Sequence, residues 1–130
     1  IGLKNAFHFD TENRVLAAVR IESDPNQMGI VRYSAVGSPH QMLMECPASN
    51  FATMSPNAKL IALVPLFAKS RTASSPAPEP VEIWNVDSKS LVHQLSGHAA
   101  PICDMRFSQD SKLLATGGTD GELKVWDVSP

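Results

Sequence analysis

One pattern recurs three times along the 130 residues, and internal repetition confines a chain to architectures that stack copies of one unit. The segments HFDTENRVLAAV (from His8), TMSPNAKLIALV (from Thr53) and RFSQDSKLLATG (from Arg106) stack without a gap. Each has an apolar residue (Phe9, Met54, Phe107), a polar turn, and then an apolar run. The turns open on Asp10, Ser55 and Ser108, residue types favoured at the first position of a type I turn, and Pro56 presets φ at the second. A second shared element follows: IVRYSAV, VEIWNVD and LKVWDVS, with Tyr33, Trp84 and Trp126 at matching places. Short apolar stretches, MLMEC from Met42 and LVHQL from Leu91, come after the first two copies.

Each unit therefore reads as strand, tight turn, strand, loop, strand, loop, strand. Cys103, Met105 and Phe107 alternate with Asp104 and Arg106, the period of a half-buried strand. No segment keeps a helical period over three turns, and the 10 prolines interrupt what would be helices. The predicted class is all-β. Hydrophobic residues at 43% and charged residues at 18% suit a packed core rather than a disordered chain.

The last unit, Gly97 to Val128, resembles a complete WD repeat. It has a GH pair (Gly97, His98), a strand–turn–strand body, an Asp120-Gly121 hairpin and a WD pair (Trp126, Asp127). The middle unit carries WN (Trp84, Asn85) in that place and the first carries YS (Tyr33, Ser34). The resemblance implies a β-propeller of four-stranded antiparallel blades, with approximate units 1–46, 47–95 and 96–130. Propellers close with about 4–8 blades, so these are about three blades of a larger ring. The missing blades are expected from a longer chain or another subunit. The chain opens on Ile1 rather than Met, which reads as a piece of a longer or processed protein.

Complete WD repeats are known for a buried hydrogen-bond chain, which the resemblance carries onto His98, Thr116, Asp120 and Trp126. Asp120 would accept from His98, His98 would bond Thr116, and the Thr116 hydroxyl would meet the Trp126 indole. The gapless alignment sets Ala18 and Leu63 at the place of Thr116, so the first two units are expected to depend on apolar packing. His, Asp and a hydroxyl also make a hydrolase triad, but no GxSxG turn is present.

No other metal or cofactor set emerges. His8 and His93 stand alone in strand-like stretches and His40 in a Pro-containing loop. Cys46 and Cys103 match no zinc-ligand spacing and read as reduced core residues of an intracellular protein of the cytoplasm or nucleus. No apolar run approaches the ~20 residues that cross a bilayer.

Recognition in a propeller lies in the loops. The loop between second and third strands is short in the last unit (Thr119 to Glu122) and longer in the first (Glu22 to Gly29). In the middle unit it extends over 65–80, rich in Ser, Pro and Ala and expected to be exposed. Arg71 three before Ser74, and Pro76 after Ser75, resemble phosphorylation motifs. The function implied is a protein–protein interaction scaffold with no cofactor. Two alternatives stay open: an enzyme using His98 and Asp120, and an RNA-binding propeller. The second is disfavoured by a net charge of −2 and scattered basic residues, of which Lys69 and Arg71 are close together in a loop.

Overall fold

The structure, a computed structural model, describes residues 7–9, 15–21, 23–24, 26–33, 41–47, 49, 52–65 and 80–129. Among them the regular structure is strand alone, in three antiparallel sheets. The first sheet holds β1 (Phe7–Phe9), β2 (Val15–Arg20), β3 (Gln27–Tyr33) and β4 (Gln41–Pro47). The second holds β5 (Ala52–Met54), β6 (Leu60–Leu63), β7 (Val81–Asn85) and β8 (Ser90–Leu95). The third holds β9 (Ile102–Phe107), β10 (Leu113–Gly118) and β11 (Leu123–Asp127). Every strand pairs with its neighbour in sequence, so each sheet is a simple meander. The all-β blade architecture is the one expected. The first sheet ends with β4 at Pro47 and the second with β8 at Leu95.

Burial explains why β6 reads as an unbroken apolar run. Leu60, Ile61, Ala62 and Leu63 are all buried because both faces of the second sheet are covered. Ile61 and Leu63 pack with Leu16, Met28, Ile30 and Met44 of the first sheet. Leu60, Ala62, Val81 and Ile83 pack the other way, against Met105, Phe107 and Leu114 of the third. Burying each such aliphatic side chain is worth about 1.5–3 kcal/mol, so the two inter-sheet seams are the main source of cohesion.

The repeated turns are alike bond for bond. Ser55 accepts from the Ala58 amide through its carbonyl (2.8 Å), and Ser108 from the Ser111 amide (2.9 Å). The Ser55 hydroxyl takes the Leu60 amide (2.9 Å) and donates to Asn57 Oδ1 (2.6 Å). Ser108 does the same with Leu113 (3.0 Å) and Asp110 (2.6 Å). Ala58 (φ 60) and Ser111 (φ 64) then turn left-handed to bring the chain back into the next strand. The two turns also touch, the Asn57 amide donating to Ser111 Oγ at 3.2 Å.

Two expectations need correction here. The gapless alignment fails in the first blade: Val15 stands opposite both Phe9 and Tyr33, whereas Ile61 stands opposite Met54 and Trp84, and Leu114 opposite Phe107 and Trp126. The first hairpin is therefore one residue shorter, and Ala17 rather than Ala18 lies level with Leu63 and Thr116. Tyr33, Trp84 and Trp126 keep equivalent places. The second correction concerns Cys103, which is exposed. Asp104 pairs with Gly117 and Ile102 with Gly118, so Cys103 is the extra residue of a β-bulge and leaves the alternation that buries Met105 and Phe107.

Candidate functional site

Three of the residues singled out by the WD pattern, His98, Thr116 and Trp126, come together in the third blade. Gly97, at φ 140, turns the chain so that His98 enters ahead of β9. The His98 side chain is 4% exposed, its Nε2 lies 2.6 Å from Thr116 Oγ1, and its ring stands 6.3 Å from that of Trp126. Thr116 is fully buried on β10 and accepts the Trp126 indole N–H at 2.8 Å from β11. A threonine is suited to this place because one hydroxyl both accepts and donates. The one Thr116 hydroxyl thus links the Trp126 indole N–H to His98 Nε2.

Asp120 does not take the role expected of it. It is exposed, and its Oδ1 accepts the Glu122 amide at 3.0 Å, an Asx turn closing the β10–β11 hairpin. Glu122, with its longer side chain, reaches the imidazole edge instead: Oε1 lies 3.5 Å from His98 Nδ1 and 3.6 Å from Lys124 Nζ. Neither Nδ1 nor Oε1 makes a hydrogen bond. Gly118 leaves room at this corner, since a Cβ there would lie 2.7 Å from Asp120 Oδ1 and 3.3 Å from His98 Nδ1 and would push these side chains aside.

The second blade solves the same problem differently. Leu63 fills the place of Thr116, and the Trp84 indole donates to Glu82 Oε1 at 2.9 Å on its own strand. Its tryptophan is thus satisfied by a polar partner, not by apolar packing alone. The residue after each tryptophan caps the following turn. Asn85 Oδ1 accepts the Ser88 amide at 2.9 Å. Asp127 Oδ1 accepts from the Ser129 amide at 2.9 Å and hydroxyl at 2.5 Å. The Ser129 hydroxyl, then its amide, hold the Asp127 carboxyl below the ordinary carboxylate range. Burial, reinforced by the charge of Glu82, pushes the Cys46 thiol up to about 12.

Other candidates stay apart. His93 is half-buried on β8. His40, Lys69, Arg71, Ser74, Ser75 and the His8 side chain lie outside the described residues, as does the 65–80 loop apart from its framing Pro65 and Pro80. Among the described residues no group of His, Cys, Asp and Glu is arranged to hold a metal ion. No helix among them is long and apolar enough to cross a membrane.

Comparison with known proteins agrees with this geometry. Residues 89–127 match the family model for the WD domain, G-beta repeat. That stretch begins before β8 and ends at β11, so the sequence repeat straddles the last strand of one blade and three strands of the next. Apoptotic protease-activating factor 1 from Homo sapiens is 38% identical over 60 residues, which is 46% of this chain and 5% of that protein. Pre-mRNA-processing factor 19 from Oryza sativa subsp. japonica is 42% identical over 48 residues, 37% of this chain and 9% of that protein. The chain thus spans only a small part of the curated relatives it matches.

Solved structures extend the likeness in fold. The β-propeller domain of Cps50 (Swd1) from Myceliophteria thermophila has a TM-score of 0.69 at 12% identity, covering 95% of this chain and 37% of that one. Hsv2 from Kluyveromyces lactis has a TM-score of 0.62 at 16% identity, covering 100% and 39%. Residues 89–127 thus carry a WD repeat, and the three meander sheets have the fold of β-propeller blades.

Proposed function

We propose that the chain is a protein–protein interaction scaffold, a set of blades whose connecting loops are presented to partner proteins in an intracellular complex of the cytoplasm or nucleus. The observation that carries this reading is the fate of the His98 cluster. The chemically versatile side chains are locked into one another inside a blade, Nε2 on Thr116 and Trp126 on the same hydroxyl. The His98 side chain is 4% exposed with its Nε2 held on Thr116, which supports a structural role over that of a base in the enzyme reading with Asp120. The coarser fact that WD propellers generally mediate protein interactions points the same way.

Further blades, from a longer chain or a second subunit, are part of the proposal. Ile83 and Val81, each 0% exposed, lie between the second and third sheets. Their counterparts on β11, Val125 and Leu123, are 62% and 72% exposed, an apolar row with the spacing of a blade-to-blade seam. Two free cysteines, Cys46 and Cys103, suit a reducing compartment. Phosphorylation of Ser74 or Ser75, adding about two negative charges to the 65–80 loop, is the proposed regulatory input. Crosslinking mass spectrometry on native extract tests the scaffold. Crosslinks from loop lysines to defined partner proteins are expected, and their absence would remove it. The same spectra, showing Ser74 and Ser75 always unmodified, would remove the phosphorylation.

A further inference from the structure

The seam between the first two blades carries a charged side chain where the seam between the second and third carries an isoleucine. Ile83 lies 0% exposed in the second seam, next to Trp84 in sequence. The register gives the first blade Arg32 at that place, next to Tyr33 and paired with Leu16 and Gln41. Arg32 Nη2 donates to Gln41 Oε1 at 2.6 Å. Its Nε is buried and has no hydrogen-bond partner among the described residues. A buried donor without an acceptor is costly, and a guanidinium is built to grip a planar two-oxygen anion.

Around Arg32 the seam opens into a groove of about 410 Å³, within the range of ligand-binding clefts. Leu16, Leu43 and Val86 give it an apolar floor, and the exposed thioether of Met42 lies at its side. Lys59 and Lys89 line the second-blade wall. Among the described residues the one carboxylate in the lining is Asp87, 3.6 Å from Lys59 Nζ, which leaves Arg32 and Lys89 in excess among them. A chain with a net charge of −2 has gathered cations here. Among the described residues no aromatic ring lines the groove to stack on a base, which argues against a nucleic acid.

We propose that this groove binds an acidic peptide segment of a partner protein, one carboxylate docking on Arg32 and a neighbouring apolar side chain on the Leu16–Leu43–Val86 floor. The proposal rests on the scaffold reading and names the partner chemistry of one of its surfaces. Replacing the seam isoleucine by arginine loses apolar packing between blades, and the carboxylate is what offsets that loss.

The test uses fluorescence anisotropy of a labelled 12-residue Leu-Glu-Glu repeat peptide, its Leu-Gln-Gln counterpart, a single-stranded RNA of similar charge, and phosphatidylserine vesicles. The full chain is expected to bind the glutamate peptide at least about tenfold more tightly than the glutamine one, a single charge-assisted contact being worth that much. Arg32→Ile restores the residue type of the neighbouring seam, so it is expected to fold and to lose about tenfold in affinity. Lys89→Glu, on the opposite wall, is expected to weaken binding while its melting curve stays that of the parent. Should Arg32→Ile fail to fold, Arg32→Lys and Lys89→Glu carry the test. Equal affinity for both peptides, unchanged binding by the variants, or binding of RNA or vesicles alone would overturn the proposal. Crosslinking of parent and Arg32→Ile to native extract separates the two readings. Partners kept by both without peptide binding sink the groove alone, and no partners with either sinks the scaffold as well.

Discussion

Trp126 donates its indole N–H to Thr116 Oγ1 at 2.8 Å, and this contact ties β11 to β10 at the level where His98 enters the blade. Removing the hydroxyl while keeping the shape leaves two polar groups, the indole N–H and His98 Nε2, without a partner in a region where Thr116 is 0% exposed. Thr116→Val is therefore expected to cost about 1–3 kcal/mol. Trp126→Ala, which also opens a cavity, is expected to cost about 3–5 kcal/mol. Urea unfolding checks both. A Thr116→Val protein as stable as the parent would mean that the network contributes nothing.

The paired serine turns make a second, comparative expectation. Ser55 is 0% exposed and its hydroxyl both accepts from Leu60 and donates to Asn57, whereas Ser108 makes the same two bonds from a half-exposed place. Ser55→Ala should cost about 1–2 kcal/mol, and Ser108→Ala clearly less, because water replaces the lost bonds at the more open turn. Equal losses would show that burial does not set the difference.

Much of this was legible in the residues. Ser-x-Asn-x-Lys and Ser-x-Asp-x-Lys spell the two turns because the hydroxyl and amide or carboxylate acceptors carry their own local bonds. What escaped the sequence depended on register. Asp10 to Arg14 look like a full copy of the later turns, yet Val15 pairs with Phe9 and shortens the hairpin. Cys103 looks like the next inward residue of an alternating strand, and only the pairing of Asp104 with Gly117 and of Ile102 with Gly118 reveals the bulge. Glu122 rather than Asp120 faces His98 because the turn amide captures the shorter carboxylate. Arg32 passed unnoticed for the same kind of reason. An arginine in a strand is unremarkable until its partner position is seen to be a buried isoleucine.

The bulge gives a reactivity expectation. Cys103 is exposed while Cys46 is 1% exposed with its thiol pushed up to about 12, so iodoacetamide at neutral pH should alkylate Cys103 in the folded chain and spare Cys46. Urea should make Cys46 reactive at the unfolding midpoint. Peptide mapping after timed quenching reads both sites. Alkylation of Cys46 at the rate of Cys103 without urea would contradict its placement in the seam.

Acid should act on the third blade through Asp110 and Asp127. The Ser108 hydroxyl and then the Lys112 amide hold Asp110 below the ordinary carboxylate range, as Ser129 does Asp127. Each carboxyl is thus harder to protonate folded than unfolded, so the unfolded chain binds more protons once the pH reaches the carboxylate range. The stability these groups contribute is complete above about pH 4 and is lost as the pH falls through their lowered folded values. The second blade carries Asn57 and Asn85 at these two places, each accepting a nearby backbone amide and bearing no charge to titrate. Asp110→Asn with Asp127→Asn should therefore fold at neutral pH and lose stability less steeply on acidification. Urea midpoints measured from neutral pH downward decide it: an acid limb as steep as that of the parent would place the acid sensitivity elsewhere in the chain.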